Sequence, residues 1–395
     1  MTGPLSGIRV LDASQMMAGP LGGMRLGDLG AEVLKIEPPG AGEWTRSHGF
    51  AGAEIKGETT AVLGLNRNKK SVTLNLKNPE GRRTFYELVR KSDVFIQNFR
   101  VGTAARLGAD YEALRAINGR IIYCSISGYG ETGPYAGRPG QDLVVQGYSG
   151  SMWSVGKRSD PPLPGALWAI DAMTAYQAVI GILAALHHRT ATGVGQKVSV
   201  SMLSVVMDAQ CQELTTHLNL GLLPKRPDAQ SAHAWVHAPY GAYPTADGWI
   251  VLAMAPASAL GEALDDDILR AMTAWDDGAK HREEIFRRVA AATPAKSTAE
   301  WLAIFDRVNV WAGPVYDYAD LVNDPHVIAT GMVTSVPHPT IGDLRVPNVP
   351  ILFSETPACV RSAPPLLGQH TDEVLGDVLN LSADELRRLR EQGAI

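Results

Sequence analysis

Short apolar stretches alternate with amphipathic ones along the first two hundred residues, and this alternation limits the fold more strongly than any other feature of the chain. Residues 8–11 and 32–36 are predicted to be buried strands. The helix predicted between them opens at the loop Ala18-Gly19-Pro20 and runs through Leu29. Because two parallel strands need a crossover connection of this kind, the segment predicts a βαβ unit.

The same rhythm continues along the chain. Residues 72–76 alternate apolar and polar side chains, which is the period of a half-buried strand. A helix is predicted over residues 79–90, and further apolar strands over 93–96 and 120–125. The repetition predicts an α/β fold whose open, mostly parallel sheet carries helices on both faces. Ligands of such sheets bind at the carboxyl ends of the strands.

The pattern changes from about residue 225 onward. Two strand-like segments flank Asp247-Gly248, which is typical of a β-hairpin, and helical segments follow before a proline-rich stretch at residues 325–350. We therefore predict a large α/β domain built from both ends of the chain and a smaller α+β domain between them. The predicted division is 1–205 for the first part of the large domain, 206–330 for the linker and small domain, and 331–395 for the segment that completes the large domain.

Charge and cysteine content narrow the class of protein. The 36 basic and 41 acidic residues are spread along the chain, so they do not create the concentrated positive field that binds nucleic acids or anionic membranes. The three cysteines are widely separated, which predicts no metal-binding cluster and fits a reducing compartment. The N-terminus lacks a signal-peptide pattern, and no apolar run reaches the ~20 residues of a membrane span. We expect a cytoplasmic protein without nucleic-acid or membrane partners and without a bound metal.

Asp171 precedes an apolar stripe of helical period that ends near Gly193, at the position where a helix N-cap is expected. One interpretation is structural, because a capping aspartate stabilises a helix by about 1 kcal/mol. The other is chemical: the helix dipole and free N–H groups hold a carboxylate ionised, and an ionised carboxylate flanked by small residues is able to attack a carbonyl carbon. The local sequence does not decide between them.

Two further motifs are weak indications of a ligand-binding site. The basic residues Arg67, Lys69, Lys70 and Lys77 suit either phosphate binding or a solvated strand edge. The glycines that follow residue 18 suggest a dinucleotide loop, yet their spacing is not GxGxxG, and a proline stands where the phosphate would approach. An acidic residue at the usual distance beyond the second strand is also missing, which disfavours a nicotinamide-dependent oxidoreductase.

Eight segments in order resemble the family III CoA-transferases, the group that contains formyl-CoA transferase, carnitine CoA-transferase and α-methylacyl-CoA racemase. They span nearly the whole chain, and their order is more specific than any one of them. The segments are 4–46, 66–82, 93–108, 127–150, the Asp171 helix with 192–203, 241–249, 312–326 and 364–375.

The resemblance implies a fold, partners and a mechanism. Members are interlocked homodimers, in which a Rossmann-like large domain binds CoA and a small domain covers the active site. The substrates are an acyl-CoA donor and a small carboxylic acid acceptor, with no tightly bound cofactor. Asp171 matches the family's catalytic aspartate, which forms an acyl anhydride and then an aspartyl-CoA thioester.

The resemblance also implies CoA contacts at four places in this sequence. These lie in the first loop, at the end of the third strand, after the fourth strand, and in the loop that follows the fifth. The residues are Met17 and Ala18; Leu74, Asn75, Leu76 and Lys77; Asn98, Phe99, Arg100 and Arg106; and Ser127, Gly128, Tyr129 and Gly130.

Two other functions compete with transfer. The racemases use a histidine within a Gly-His-Asp segment, whereas the matching residues here are Gly140-Gln141-Asp142, and glutamine does not exchange a proton near neutral pH. A CoA-binding protein without catalysis is the second alternative, against which Asp171 argues. Met17 replaces the glutamine of formyl-CoA transferase and Pro38 replaces an arginine, so an oxalate-like acceptor and one phosphate contact are not expected.

Overall fold

A computed structural model describes residues 3–395 of the chain. By their internal contacts these residues form two compact units. The first comprises the chain up to Val145, Trp168–Val206 and Pro325–Ile395, and the second comprises Gln146–Leu167 and Met207–Asp324.

The strands of the described residues fall into one large sheet and three small ones. In chain order they are β1 (Arg9–Asp12), β2 (Glu32–Glu37), β3 (Glu54–Ile55), β4 (Glu58–Thr59), β5 (Lys69–Thr73), β6 (Val94–Gln97), β7 (Ile122–Ser127), β8 (Lys197–Ser201), β9 (Gly241–Pro244), β10 (Trp249–Leu252), β11 (Ala312–Pro314), β12 (Val333–His338) and β13 (Gly342–Pro347).

The α-helices range from one turn to more than six. They are α1 (Ala18–Asp28), α2 (Thr60–Leu65), α3 (Pro79–Arg90), α4 (Thr103–Leu107), α5 (Tyr111–Ile117), α6 (Asp142–Ser149), α7 (Ala169–Thr192), α8 (Met202–Ala209), α9 (Cys211–Leu220), α10 (Ala257–Leu264), α11 (Asp267–Arg270), α12 (Asp277–Lys280), α13 (Arg282–Ala292), α14 (Thr298–Arg307), α15 (Tyr318–Asn323), α16 (Pro325–Ala329), α17 (Thr371–Leu379) and α18 (Ala383–Glu391).

The first unit is built on a six-stranded sheet in the order β5-β2-β1-β6-β7-β8, in which every neighbouring pair is parallel. Numbered by their sequence within this sheet, the strands run 3-2-1-4-5-6, which is the order of the doubly wound Rossmann fold. The prediction of an α/β fold with a mostly parallel sheet is therefore confirmed. The order reverses between β1 and β6, so their carboxyl ends form the crevice in which such folds bind ligands.

Successive residues of each strand point to opposite sides of this sheet, so the strands contribute apolar side chains to two buried cores, one on each face. On β1, Leu11 joins a core with Phe85 of α3 and Phe95 of β6, and Val10 joins a second core with Ile182 of α7. Apolar side chains therefore continue through the central strands rather than alternating with polar ones.

Helix α7 lies in the second of these cores. Among residues 3–395 it is the one helix long and apolar enough to cross a membrane by length and composition. Its residues Ala178, Ile182 and Ala185 are buried in the core against the sheet. The helix ends at Gly193, whose positive φ allows the chain to turn toward β8.

The second unit contains the predicted hairpin, in which β9 and β10 pair antiparallel across Asp247-Gly248, with β11 on the other edge of β10. Its core is formed by side chains of this sheet and of α10, α13 and α14, among them Tyr243, Phe286 and Trp301.

A buried ion pair lies where α1 crosses the first unit's sheet. The Lys69 ammonium donates to the Asp12 carboxylate at 2.8 Å, to the Pro20 carbonyl at 2.8 Å and to the Asn66 side chain at 2.9 Å. Asp12 is 0% exposed and Lys69 is 2% exposed. Burial lowers the pKa of Lys69 to about 8, although the Asp12 charge opposes this shift. Breaking such a pair from one side leaves an uncompensated buried charge.

We expect Gly23→Ala to destabilise the fold by about 2–4 kcal/mol, because an added Cβ would lie 2.6 Å from the Asp12 Oδ2 atom and displace the carboxylate from Lys69. Gly64→Ala in α2 is the matched control, since its Cβ would meet no atom within 4 Å. Urea denaturation of both variants measures the effect. Equal free energies of unfolding for the two variants would contradict this account of Gly23.

Candidate functional site

Asp171 lies inside the first turn of α7, and the prediction that it caps this helix is wrong. The N-cap position is Trp168, which makes no side-chain capping bond. The carboxylate of Asp142 instead accepts hydrogen bonds from the backbone N–H groups of Ile170, at 2.9 Å, and of Asp171, at 3.0 Å. Two of the backbone donors at the helix start are thus satisfied from outside the helix, and the Asp171 side chain does not cap them.

Asp142 is the functional candidate that sequence reasoning missed. It begins α6 and is fully buried, with 0% of its surface exposed. The loop before it is pressed against the loop after β7, since a Cβ on Gly128 would lie 2.6 Å from the Cα of Gly140. The sequence contained Asp142 within the segment compared with the racemases, but its partners are 28 and 29 residues away, so no local pattern could show them.

The environment of Asp171 favours its protonated form. Burial, together with the negative charge of Asp142, raises the pKa of Asp171 from its ordinary value of 3.8 to about 7. The expectation that the helix dipole holds this carboxylate ionised is therefore wrong in direction. Near neutral pH both forms are populated, which is the range in which a carboxylate acts as an activated nucleophile.

Two of the predicted contact loops lie beside the start of α7. Met17, just before α1, packs against the small cluster to which Ala172 also belongs. Tyr129, in the loop after β7, packs with Met173 on the cluster that contains Ile170. The side chains on both sides of Asp171 thus belong to clusters that include residues of the predicted loops, and Ala18 begins α1 directly after Met17.

The loop after β1 is held at the switch point of the sheet. Asn98, which follows β6, accepts from the Gln15 backbone N–H at 2.9 Å and donates to the Gln15 carbonyl at 2.7 Å. Gly19 allows this loop to fold tightly, because a Cβ there would lie 2.2 Å from the Ser14 Cβ. Asn98 therefore acts on the backbone of the first loop, which is a role the resemblance did not specify.

A cleft of about 420 Å³ opens at the carboxyl ends of β1, β2, β5 and β6. The predicted residues Leu74, Asn75, Leu76, Lys77 and Phe99 all line it, directly after β5 and β6 rather than within those strands. A second cleft of about 280 Å³ shares Phe99 and is also lined by Arg100 and Ser127.

Arg106 is exposed on α4 and donates to the Thr103 hydroxyl at 2.9 Å. Gly130, with a φ of 94°, donates its N–H to the Ser127 hydroxyl at 3.0 Å and closes the loop after β7. These bonds give both segments a defined conformation at the carboxyl end of the sheet.

The acidic groups at the larger cleft are engaged by the protein. Arg46 donates to both oxygens of Glu37, at 2.7 and 2.8 Å, and its charge helps hold the pKa of Glu37 below the usual value despite burial. Glu43 accepts from the backbone N–H of Met16 at 3.1 Å. Lys77 supplies a cationic side chain to this cleft. Such a lining is compatible with a phosphorylated ligand.

The basic cluster seen in the sequence does not act as one patch. Arg67 donates two hydrogen bonds to the buried Asp28, and Lys69 pairs with Asp12 in the core. Lys70 forms ion pairs with Glu32 and Glu373. Of the four residues, Lys77 lines the cleft. Among residues 3–395, no group of three or more His, Cys, Asp or Glu side chains is placed to hold a metal ion.

Comparisons with known proteins identify the family of the chain. The family model described as CoA-transferase family III matches residues 5–371. The succinyl-CoA:glutarate CoA-transferase of Mus musculus is 34% identical over 401 residues, covering 99% of this chain and 90% of the mouse protein. The succinyl-CoA–L-malate CoA-transferase beta subunit of Chloroflexus aurantiacus is also 34% identical, over 99% of this chain and 98% of its own length.

A solved structure shows the same fold. The crystal structure of a CaiB/BaiF family protein from Brucella suis superposes with a TM-score of 0.84 at 30% sequence identity. The match covers 96% of this chain and all of the Brucella chain.

The raised pKa of Asp171 has a consequence for stability. Between pH 4 and 7 the folded chain retains a proton at Asp171 that the unfolded chain has released, so stability falls as pH rises through this window. We expect Asp171→Asn to match the wild type at pH 4.5 and to exceed it at pH 8 by on the order of 1 kcal/mol or more. Urea denaturation at the two pH values measures this, and a difference independent of pH would contradict it.

Proposed function

The chain belongs to CoA-transferase family III and moves CoA from an acyl-CoA thioester to a free carboxylic acid, and from this premise we propose that Asp171 carries the transfer as a covalent nucleophile. The observation that carries the proposal is the position of its carboxylate, partly buried in the first turn of α7 and relieved of capping by Asp142.

The proposed reaction has four steps. An oxygen of Asp171 attacks the thioester carbonyl carbon, the C–S bond breaks, and CoA leaves as a thiolate with the bonding electrons. This thiolate attacks the Asp171 carbonyl of the resulting mixed anhydride and releases the donor acid as a carboxylate. The acceptor carboxylate then attacks the aspartyl-CoA thioester and releases the thiolate, which attacks the acceptor's carbonyl in the new anhydride and regenerates Asp171. No net proton is transferred, and each step retains an activated carbonyl.

Since the attacking form of Asp171 is the carboxylate, activity should rise with pH through the pKa of about 7. Backbone N–H groups of the glycine-rich loop at residues 127–130 are the proposed donors to the tetrahedral oxyanions. The glutamine at position 141 supports transfer over racemisation, because the matching racemase residue must exchange a proton.

We propose that CoA lies along the carboxyl ends of the sheet, with its nucleotide part at the cleft lined by Leu74–Lys77 and Phe99. The charges of Lys77, Arg100 and Arg106 would meet its phosphates, and Met17, Ala18 and the loop at residues 127–130 would guide the pantetheine arm toward Asp171. The clefts support the proposal for the residues that line them, which are Leu74–Lys77, Phe99, Arg100 and Ser127.

For the acids, we propose succinyl-CoA as donor and a small dicarboxylate as acceptor. Relatives over 99% of the chain are named for succinyl-CoA with glutarate or malate. Exchange from succinyl-CoA to glutarate, malate and acetate ranks the acceptors directly.

We also propose the interlocked homodimer and cytoplasmic location that the resemblance and the sequence suggest, and the domain division at residues 205 and 330 stays a prediction. Leu218 and Leu223 support an assembly, since they are 78% and 70% exposed in the second unit. Light scattering in solution measures the mass of the assembly.

We expect Asp171→Ala to lower kcat for CoA exchange by at least about 10³-fold while the protein stays folded. Wild-type enzyme incubated with succinyl-CoA should yield an adduct that hydroxylamine converts to a hydroxamate at Asp171, read by peptide mass spectrometry. Asp317→Asn, at an exposed cap of α15, is the control. Undiminished exchange by the alanine variant would refute the covalent mechanism.

Lys77→Ala should raise KM for the acyl-CoA by roughly fivefold and leave kcat nearly unchanged, because a phosphate contact is present in both the ground state and the transition state. Lys91→Ala is the matched control, since Lys91 is an exposed lysine at the opposite end of α3. Steady-state kinetics over a range of acyl-CoA concentrations measures both constants. A fall in kcat without a change in KM would remove Lys77 from the proposed nucleotide site.

A further inference from the structure

We propose that Asp142 is a positioning residue for the transfer, which anchors the first turn of α7 from outside that helix and biases Asp171 toward its covalent intermediates. This inference rests on the proposed role of Asp171 and deepens it. Its basis is the pair of hydrogen bonds that one fully buried carboxylate accepts from Ile170 and Asp171, at the start of a helix whose own N-cap residue makes no capping bond.

Capping alone does not account for an aspartate at this position. Serine and asparagine cap helices about as well as aspartate, and they bring no charge. Here the charge lies within the interior, bonded to the backbone N–H of the residue that carries the nucleophile. Besides burial, the like charge of Asp142 raises the free energy of the ionised Asp171 side chain.

That cost disappears during the reaction. In the anhydride and in the aspartyl-CoA thioester, Asp171 is an uncharged acyl group, so the repulsion from Asp142 is present in the free enzyme and absent from both covalent intermediates. The same two hydrogen bonds persist throughout because they involve the backbone. Asp142 therefore destabilises the resting carboxylate relative to the intermediates while it holds the helix start in place.

Among the described residues, the segments of α1 and α8 that share apolar clusters with the start of α7 provide no competing charge. They carry no ionisable side chain over residues 18–24 and 202–206. The loop after β7 contributes the phenol of Tyr129, which packs on the same cluster as Ile170. Burial and Asp142 are the causes of the raised pKa. Removal of the Asp142 charge should consequently lower the pKa of Asp171.

The test compares Asp142→Asn and Asp142→Ser with wild type in the full-length chain, because both variants retain an acceptor oxygen and lose the charge. The acidic limb of kcat/KM for CoA exchange should move to lower pH, so that the ratio of kcat/KM at pH 6 to that at pH 8 rises at least about twofold. The fraction of enzyme trapped as hydroxamate at steady state should fall. Asp317→Asn is the matched control, since it replaces an exposed capping aspartate.

A lower thermal midpoint with an unchanged pH profile and an unchanged trapped fraction would reduce Asp142 to a structural cap and overturn the inference. Should neither variant fold, carboxyl ¹³C NMR of wild type against Asp171→Asn keeps the inference testable: titration of Asp171 near pH 7 is the expected result, and titration near pH 4 would show that its carboxylate is not destabilised and would overturn the inference. Asp171→Ala separates the two proposals. If that variant still exchanges CoA, the proposed function fails; if it does not and the Asp142 variants behave as wild type, this inference alone fails.

Discussion

The hydrogen bonds from the first turn of α7 to Asp142 determine what the Asp171 side chain is able to do. A helix start exposes N–H groups that must find acceptors, and a Ser, Thr, Asp or Asn side chain at the N-cap is the usual solution. Had Asp171 supplied that acceptor, its oxygens would be engaged and its ionised form stabilised. Because Asp142 supplies it, Asp171 retains free oxygens, and burial together with the charge of Asp142 raises the pKa of its carboxyl.

A second buried carboxylate supports the opposite side of the site. Asp12 ends the central strand, and Lys69 bridges it to the carbonyl of Pro20 in α1. The Lys69 ammonium therefore binds both ends of the loop that carries Met17, at the Asp12 carboxylate and at the Pro20 carbonyl. Asn98 fixes the middle of the same loop by hydrogen bonds to the backbone N–H and the carbonyl of Gln15. A ligand that lies against this loop meets a backbone already ordered, which lowers the entropy lost on binding.

How much of the structure could be predicted from the sequence depends on how far apart along the chain the interacting residues lie. Helix α3 begins and ends at the predicted residues because a local cap, Asn78, and a local amphipathic pattern define it. The parallel sheet was predictable from apolar strands separated by crossover helices. The ion pairs of Arg67 and Lys69 were not, since their partners lie 39 and 57 residues away and a charged sequence position gives no sign of burial. The prediction that Asp171 caps α7 is wrong for the same reason, because the acceptor is Asp142, 28 and 29 residues away from its two donors.

The candidate site was likewise predictable in part. Its position was predictable, because topology requires the residues after β1, β5, β6 and β7 to meet at one edge of the sheet. Its electrostatics were not, because the proton affinity of Asp171 depends on burial and on a charge from α6, and neither is a property of the local sequence. A family resemblance transfers the identity of a nucleophile but not the free energy of its ionised form. In the proposed mechanism, that free energy decides how much enzyme rests as carboxylate and how much as acyl intermediate, so the structural environment of Asp171 adjusts the rate of an exchange that the side chain itself makes possible.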